Sequence, residues 1–122
     1  MILKPVGFFR EIKRGLLTDS LISSISDKPL DNEELIIQYL QNGATFLVSP
    51  GIICDILNDS KNVISNGNIL TDGVWAWPNY LAYYVNKYHV KLTSGFLEHM
   101  KRNHWEIKDK EQINVLELKL PT

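Results

Sequence analysis

Residues 69–88 read ILTDGVWAWPNYLAYYVNKY, with two tryptophans, four tyrosines and a proline in twenty positions. How this stretch divides decides the fold. Asp72-Gly73 is a turn dipeptide, so Ile69-Leu70-Thr71 and Val74-Trp75-Ala76 are expected to be the arms of a tight hairpin over 68–76. Pro78 suits a first helical turn, where its missing N–H is not needed. A helix over 77–88 then aligns Trp77, Leu81, Tyr84, Val85 and Tyr88 into one core-facing stripe. Tyr80 and Tyr83 fall at the border of that stripe. Border tyrosines suit protein interfaces, because the ring buries area while the hydroxyl keeps a polar partner.

Working outward, residues 31–42, DNEELIIQYLQN, carry the clearest helix pattern. Asp31 is the expected cap with Glu34 completing a capping box, and Gly43 the expected left-handed stop. Residues 6–14 and 19–26 show weaker helical spacing, the second with Asp19 as its cap and Pro29 beyond its end. ATFLVS at 44–49 is rich in strand formers. Ser49-Pro50 then predicts a short, deeply buried helix in GIICDILN at 51–58, followed by a turn at Asn66-Gly67. Ser94 is the expected cap of a helix over 95–103 with Phe96, Leu97 and Met100 inward. INVLELKLP at 113–121 alternates as a strand with a leucine face, stopped by Pro121. The expectation is a mostly helical α+β domain spanning 1–122, with about five helices and a three- or four-stranded sheet that includes the hairpin and a C-terminal strand.

Composition fits a globular domain: 44% of residues are hydrophobic and 22% charged. No apolar run is long enough for a membrane span, and the N-terminal stretch lacks the apolar core and cleavage pattern of a signal peptide. Cys54 is the lone cysteine, which excludes an internal disulfide and fits a reducing cytoplasm. Net charge is −1, too small for strong non-specific attraction to nucleic acid. The charge is unevenly spread, however. Residues 15–75 hold eight carboxylates against two lysines, while both flanks are net basic. If those carboxylates share a face, they steer a basic partner; scattered over the surface, they only keep it solvated.

Motifs for catalysis are absent from the sequence. His99 and His104 stand five apart, which does not aim both at one ion, and neither HExxH nor CxxC occurs, so no metal is expected. Neither a P-loop nor a GxGxxG is present, so no cofactor is expected either. Cys54 lies in the apolar GIICDIL, which suits an inert thiol better than a nucleophile. Asp55 and Asp59, four apart, are able to share a helical face, and Asp72 most simply serves its turn.

The segment ILTDGVWAWPNYLAYYVNKYHVKL with the later FLEHM resembles a group of small single-domain bacterial proteins. Their shared signature is T-D-G-x-W-x-W-P, then L-x-Y-Y-V and Y-H. The resemblance covers about residues 68–104 strongly and the N-terminal part weakly. Some proteins of this kind resemble the immunity proteins of polymorphic-toxin and contact-dependent inhibition systems. That resemblance implies a cytoplasmic, non-enzymatic protein that neutralises the C-terminal domain of a cognate toxin by covering its active site. The toxin expected is a nuclease, a basic ribonuclease or DNase, with no direct contact to nucleic acid or membrane. The contacts expected are Asp55, Asp59 and Asp72 for charge and Tyr80 and Tyr83 as aromatic anchors. The alternatives are a non-enzymatic adaptor for another protein and a small hydrolase that uses carboxylates.

Overall fold

A computed structural model describes residues 1–12, 18–58 and 62–121. The order of elements is β1 (Lys4–Pro5), α1 (Leu21–Ser24), α2 (Glu33–Gln41), β2 (Ala44–Leu47), β3 (Ile53–Cys54), β4 (Val63–Ser65), β5 (Ile69–Thr71), β6 (Trp75–Pro78), α3 (Leu81–Tyr88) and α4 (Ser94–Arg102). Two short 3-10 turns follow, at Lys110–Gln112 and Val115–Glu117. The fold is α+β, with four helices among the described residues. One mixed sheet runs β1-β6-β5-β2 and a two-stranded sheet pairs β3 with β4.

The hairpin forms where its turn chemistry places it. Thr71 pairs with Ala76, Leu70 with Trp77 and Ile69 with Pro78. Pairing therefore continues through Trp77 and Pro78, which stand on β6 rather than opening the helix. Cross-strand pairing beats the helix-start preference of proline, which sits at the strand end, where a missing N–H costs least. Trp77 still enters the core: it is fully buried and its indole N–H donates to Leu40 O at 2.9 Å. Its ring stands 5.9 Å from Tyr39 and 5.4 Å from Phe96, within the range of favourable ring pairs. Leu81, Tyr84 and Val85 of α3 complete the stripe as expected and are buried in the same core.

Helix α2 starts without the expected box. Its cap is Asn32, held left-handed at φ 59°, and no side chain caps it; Glu33 instead accepts from Leu30 N at 3.2 Å. Gly43 is not left-handed. A Cβ there would stand 2.7 Å from Trp77 Cζ2 and 2.9 Å from Leu70 Cβ, so glycine serves close packing instead. Helix α1 is capped by Ser20 rather than Asp19, and Glu11 reaches over to accept from Leu21 N and Ile22 N at 2.7 and 3.0 Å. For α4 the cap position is Thr93, with Ser94 as the first helical residue.

Three expected elements are replaced. Residues 6–9 are buried without regular secondary structure, and Gly7 at φ 80° lies where a Cβ would strike the Leu81 side chain. The rest of that expected helix, 13–14, lies outside the described residues. GIICDILN makes strand β3 and a turn, not a helix, and Ile52 and Ile56 are exposed rather than deeply buried. Its β-branched run suits pairing with β4, and Asp55 bonds its own chain at Leu57 N, 2.8 Å, which favours a turn over a helix. The expected C-terminal strand reduces to one bridge, Ile2 with Lys119. Asn114 accepts from Leu116 N and starts a 3-10 turn, leaving Leu116 92% exposed. No helix among the described residues is long and apolar enough to cross a membrane.

Candidate functional site: two buried carboxylates and an apolar sheet edge

The turn after β3 carries Asp55 inward, onto α3. Tyr83 and Lys87, four positions apart, share one face of that helix, and Tyr88 lies at the flank of that face, from which its long side chain also reaches Asp55. The hydroxyls of Tyr83 and Tyr88 each donate to Asp55 Oδ2 at 2.7 Å, and Lys87 Nζ lies 3.5 Å from the same oxygen. Asp55 Oδ1 accepts from Leu57 N. Burial alone would raise the Asp55 pKa, but the two tyrosine bonds, the backbone bond and the Lys87 charge outweigh it and hold it below its ordinary value. Tyr88 is pushed up to about 12, by burial first and then by the carboxylate it serves. The Lys87 ammonium is favoured chiefly by its bond to Tyr83. Asp55 is 3% exposed, so it is not the surface contact expected of it.

Asp72 is the second carboxylate. Its Oδ1 accepts from Val74 N at 2.9 Å and Trp75 N at 2.7 Å, which closes the hairpin turn. Its Oδ2 accepts from Tyr39 Oη of α2 and stands 3.0 Å from His99 Nε2 of α4. Burial, then the bond to Asp72, raises the Tyr39 pKa. Three elements thus meet at one turn residue, beside a small pocket of about 160 Å³ that also touches Asn103, Glu106 and Lys108. The side chain of Asp72 is 2% exposed and is likewise removed from the surface.

The expected contact residues do not converge. Asp55 and Asp72 lie in separate clusters, and Asp59 lies outside the described residues. Tyr80 is 3% exposed, not a border residue; its ring packs 6.0 Å from Tyr84 and 6.5 Å from Phe9. Tyr83 remains partly exposed, but its hydroxyl is committed to Asp55. Glu33 is paired with His89 at 2.8 Å. Of the carboxylates in residues 15–75, Asp27, Asp31 and Glu34 are exposed, around the turn between α1 and α2. Among the described residues, no group of histidine, cysteine and carboxylates is arranged to hold a metal. Tyr39 and His99 are site residues the sequence reading missed. A signal existed for His99: it falls on the face of α4 that carries Phe96 and Met100, where a histidine needs a polar partner.

The surface also offers an apolar feature. Beside β2 lies a groove of about 460 Å³ lined by Phe8, Leu47, Val48, Pro50, Ile69 and Tyr80, with Tyr80 as a buried wall. Leu47 and Val48 flank it at 49% and 75% exposure, and Ile52 is exposed just beyond. Residues 43–54 contain no charged side chain. Comparison with protein families, with curated proteins and with solved structures finds no match to this chain.

Proposed function

We propose that this protein is a non-catalytic inhibitor of the immunity-protein kind, which binds a bacterial toxin domain in the cytoplasm and covers its active site. The observation that carries this reading is the uncharged apolar surface of Leu47 and Val48 around the groove. Exposed apolar surface next to a concave site is characteristic of protein docking. The TDGVWAWP and LAYYV segments that carry the resemblance to immunity proteins support the same reading. They build the core, the hairpin turn and the Asp55 cluster, so what they specify is a rigid domain. Both buried carboxylates accept several hydrogen bonds from the fold around them, which suits structural roles. For a nuclease toxin, the exposed Asp27, Asp31 and Glu34 supply the charge to meet a basic active site.

The test is co-expression with a candidate toxin domain taken from a neighbouring gene. Growth rescue and co-purification are expected, and both are lost in a Leu47→Asp, Val48→Asp variant that still unfolds cooperatively. A variant that rescues as well as the parent removes the apolar surface from the reading. Failure of the parent to rescue or co-purify removes the reading itself.

A further inference from the structure

We infer that the partner is taken up by strand addition: an extended, uncharged segment of it pairs with the free edge of β2 and sets alternate side chains into the groove. This rests on the inhibitor reading and specifies how the toxin domain is held. The two edges of the main sheet are unlike. At one, β1 is only two residues long and carries Lys4 and Pro5, features that blunt an edge. That edge is also closed by the chain itself, with Leu3 N donating to Lys119 O at 2.7 Å and Lys119 N to Met1 O at 3.0 Å.

At the other edge, β2 has β5 as its single neighbour among the described residues. Among the described residues, Ala44–Leu47 makes no backbone hydrogen bond outside that pairing. It contains no proline and no charge, and its one edge-blunting device is the register shift between Thr45 and Leu47. A strand edge presents unpaired N–H and C=O groups, and another extended backbone satisfies them in register.

Charge selects the occupant further. A charged segment laid on β2 would lose water and gain no counter-charge, since neither β2 nor the neighbouring β5 carries an ionisable side chain. The groove beside β2 then receives apolar side chains from one face of the added strand, which is how specificity is divided in strand addition.

Hydrogen exchange on the free protein and on the complex captured in that co-expression tests this. The outward amides of Ala44–Val48 are expected to exchange fast when free and to slow by about ten-fold or more in the complex, as paired edge amides do. Thr45→Lys with Leu47→Lys, both at exposed positions, is expected to weaken binding about ten-fold or more, as edge lysines oppose strand pairing. Gln112→Lys with Leu116→Lys, at exposed positions on the C-terminal turns, is the comparison pair, and the strand model expects it to leave binding and β2 protection unchanged. A complex that forms with β2 unprotected and tolerates both lysines overturns strand addition while the inhibitor reading stands. No complex at all overturns both. Protection of β2 in the free protein that grows with protein concentration assigns the edge to a second copy and overturns the inference.

Discussion

Replacing Asp55 separates a contact residue from a folding one. In Asp55→Ala, Tyr83, Tyr88 and Leu57 N lose the acceptor they share, at 2.7, 2.7 and 2.8 Å. Hydrogen bonds to a charged group contribute about 1.5–3 kcal/mol each and do not simply add. Tyr88 is half-buried and Lys87 exposed, so water relieves part of the loss. The expected cost is about 3–4 kcal/mol, a large share of the ~5–15 kcal/mol that holds a domain folded. Asp55→Asn keeps the shape and loses the charge, and is expected to cost about half as much. The sign of the pH effect follows from the lowered pKa. The contribution is present above the ordinary aspartate range and fades as pH falls through the folded value, because protons then bind the unfolded chain first. Urea unfolding of parent and Asn variant should therefore differ at neutral pH and converge in acid. If Asp55→Ala unfolds within about 1 kcal/mol of the parent, the cluster is not a structural staple. If it weakens partner binding at unchanged stability, Asp55 acts as a contact after all.

Three further changes test other parts of the fold. Gly43→Ala is expected to cost about 1–3 kcal/mol by overpacking against Trp77, and Gly43→Asn more, measured by urea unfolding; an Asn variant milder than the Ala variant would restore the left-handed stop. Glu11→Gln weakens the capping of α1. The Glu11 carboxylate is opposed by burial but held at about 2 by Ser20 and by the Ile22 and Leu21 amides. Its contribution is thus present above the ordinary glutamate range and lost as pH falls toward 2, so thermal melts of parent and variant should draw together in acid. Leu116→Ser should shift stability by no more than about 0.5 kcal/mol, because the side chain is on the surface; a loss of about 2 kcal/mol or more in urea would put it in the core.

Features decided by near neighbours were legible. The Thr71-Asp72-Gly73 turn, the stripe of Leu81, Tyr84 and Val85, and strand β2 all follow from local chemistry or a short period. Features decided by distant partners were not. GIICDIL is apolar enough for helix or strand, and β4 decides it. INVLELKL alternates as a strand should, yet at Lys119 alone does it find a strand partner. Asp55 looked like a surface charge because its partners, Tyr83 and Tyr88, stand 28 and 33 positions away. Tyr80 was set at a border, yet it precedes Tyr84 by one helical turn and caps α3 in helical backbone geometry, so its ring packs on Tyr84 and Phe9 in the core. The acidic stretch lost Asp55, Asp72 and Glu33 to internal partners, none of which charge counting reveals.

The parallel pairing of β1 has a consequence for synthesis. Lys4 aligns with Trp75 and Pro5 with Ala76, while Ile2 bridges to Lys119. During synthesis residues 2–5 therefore wait for partners that are made much later. Until β6 emerges, Val6, Phe8 and Phe9 have no core to enter and are available to a chaperone. Contacts this distant along the chain also make folding slow for the protein's size. Translation speed through the codons for residues 75–119 is then expected to affect the yield of folded protein more than speed through those for residues 10–40.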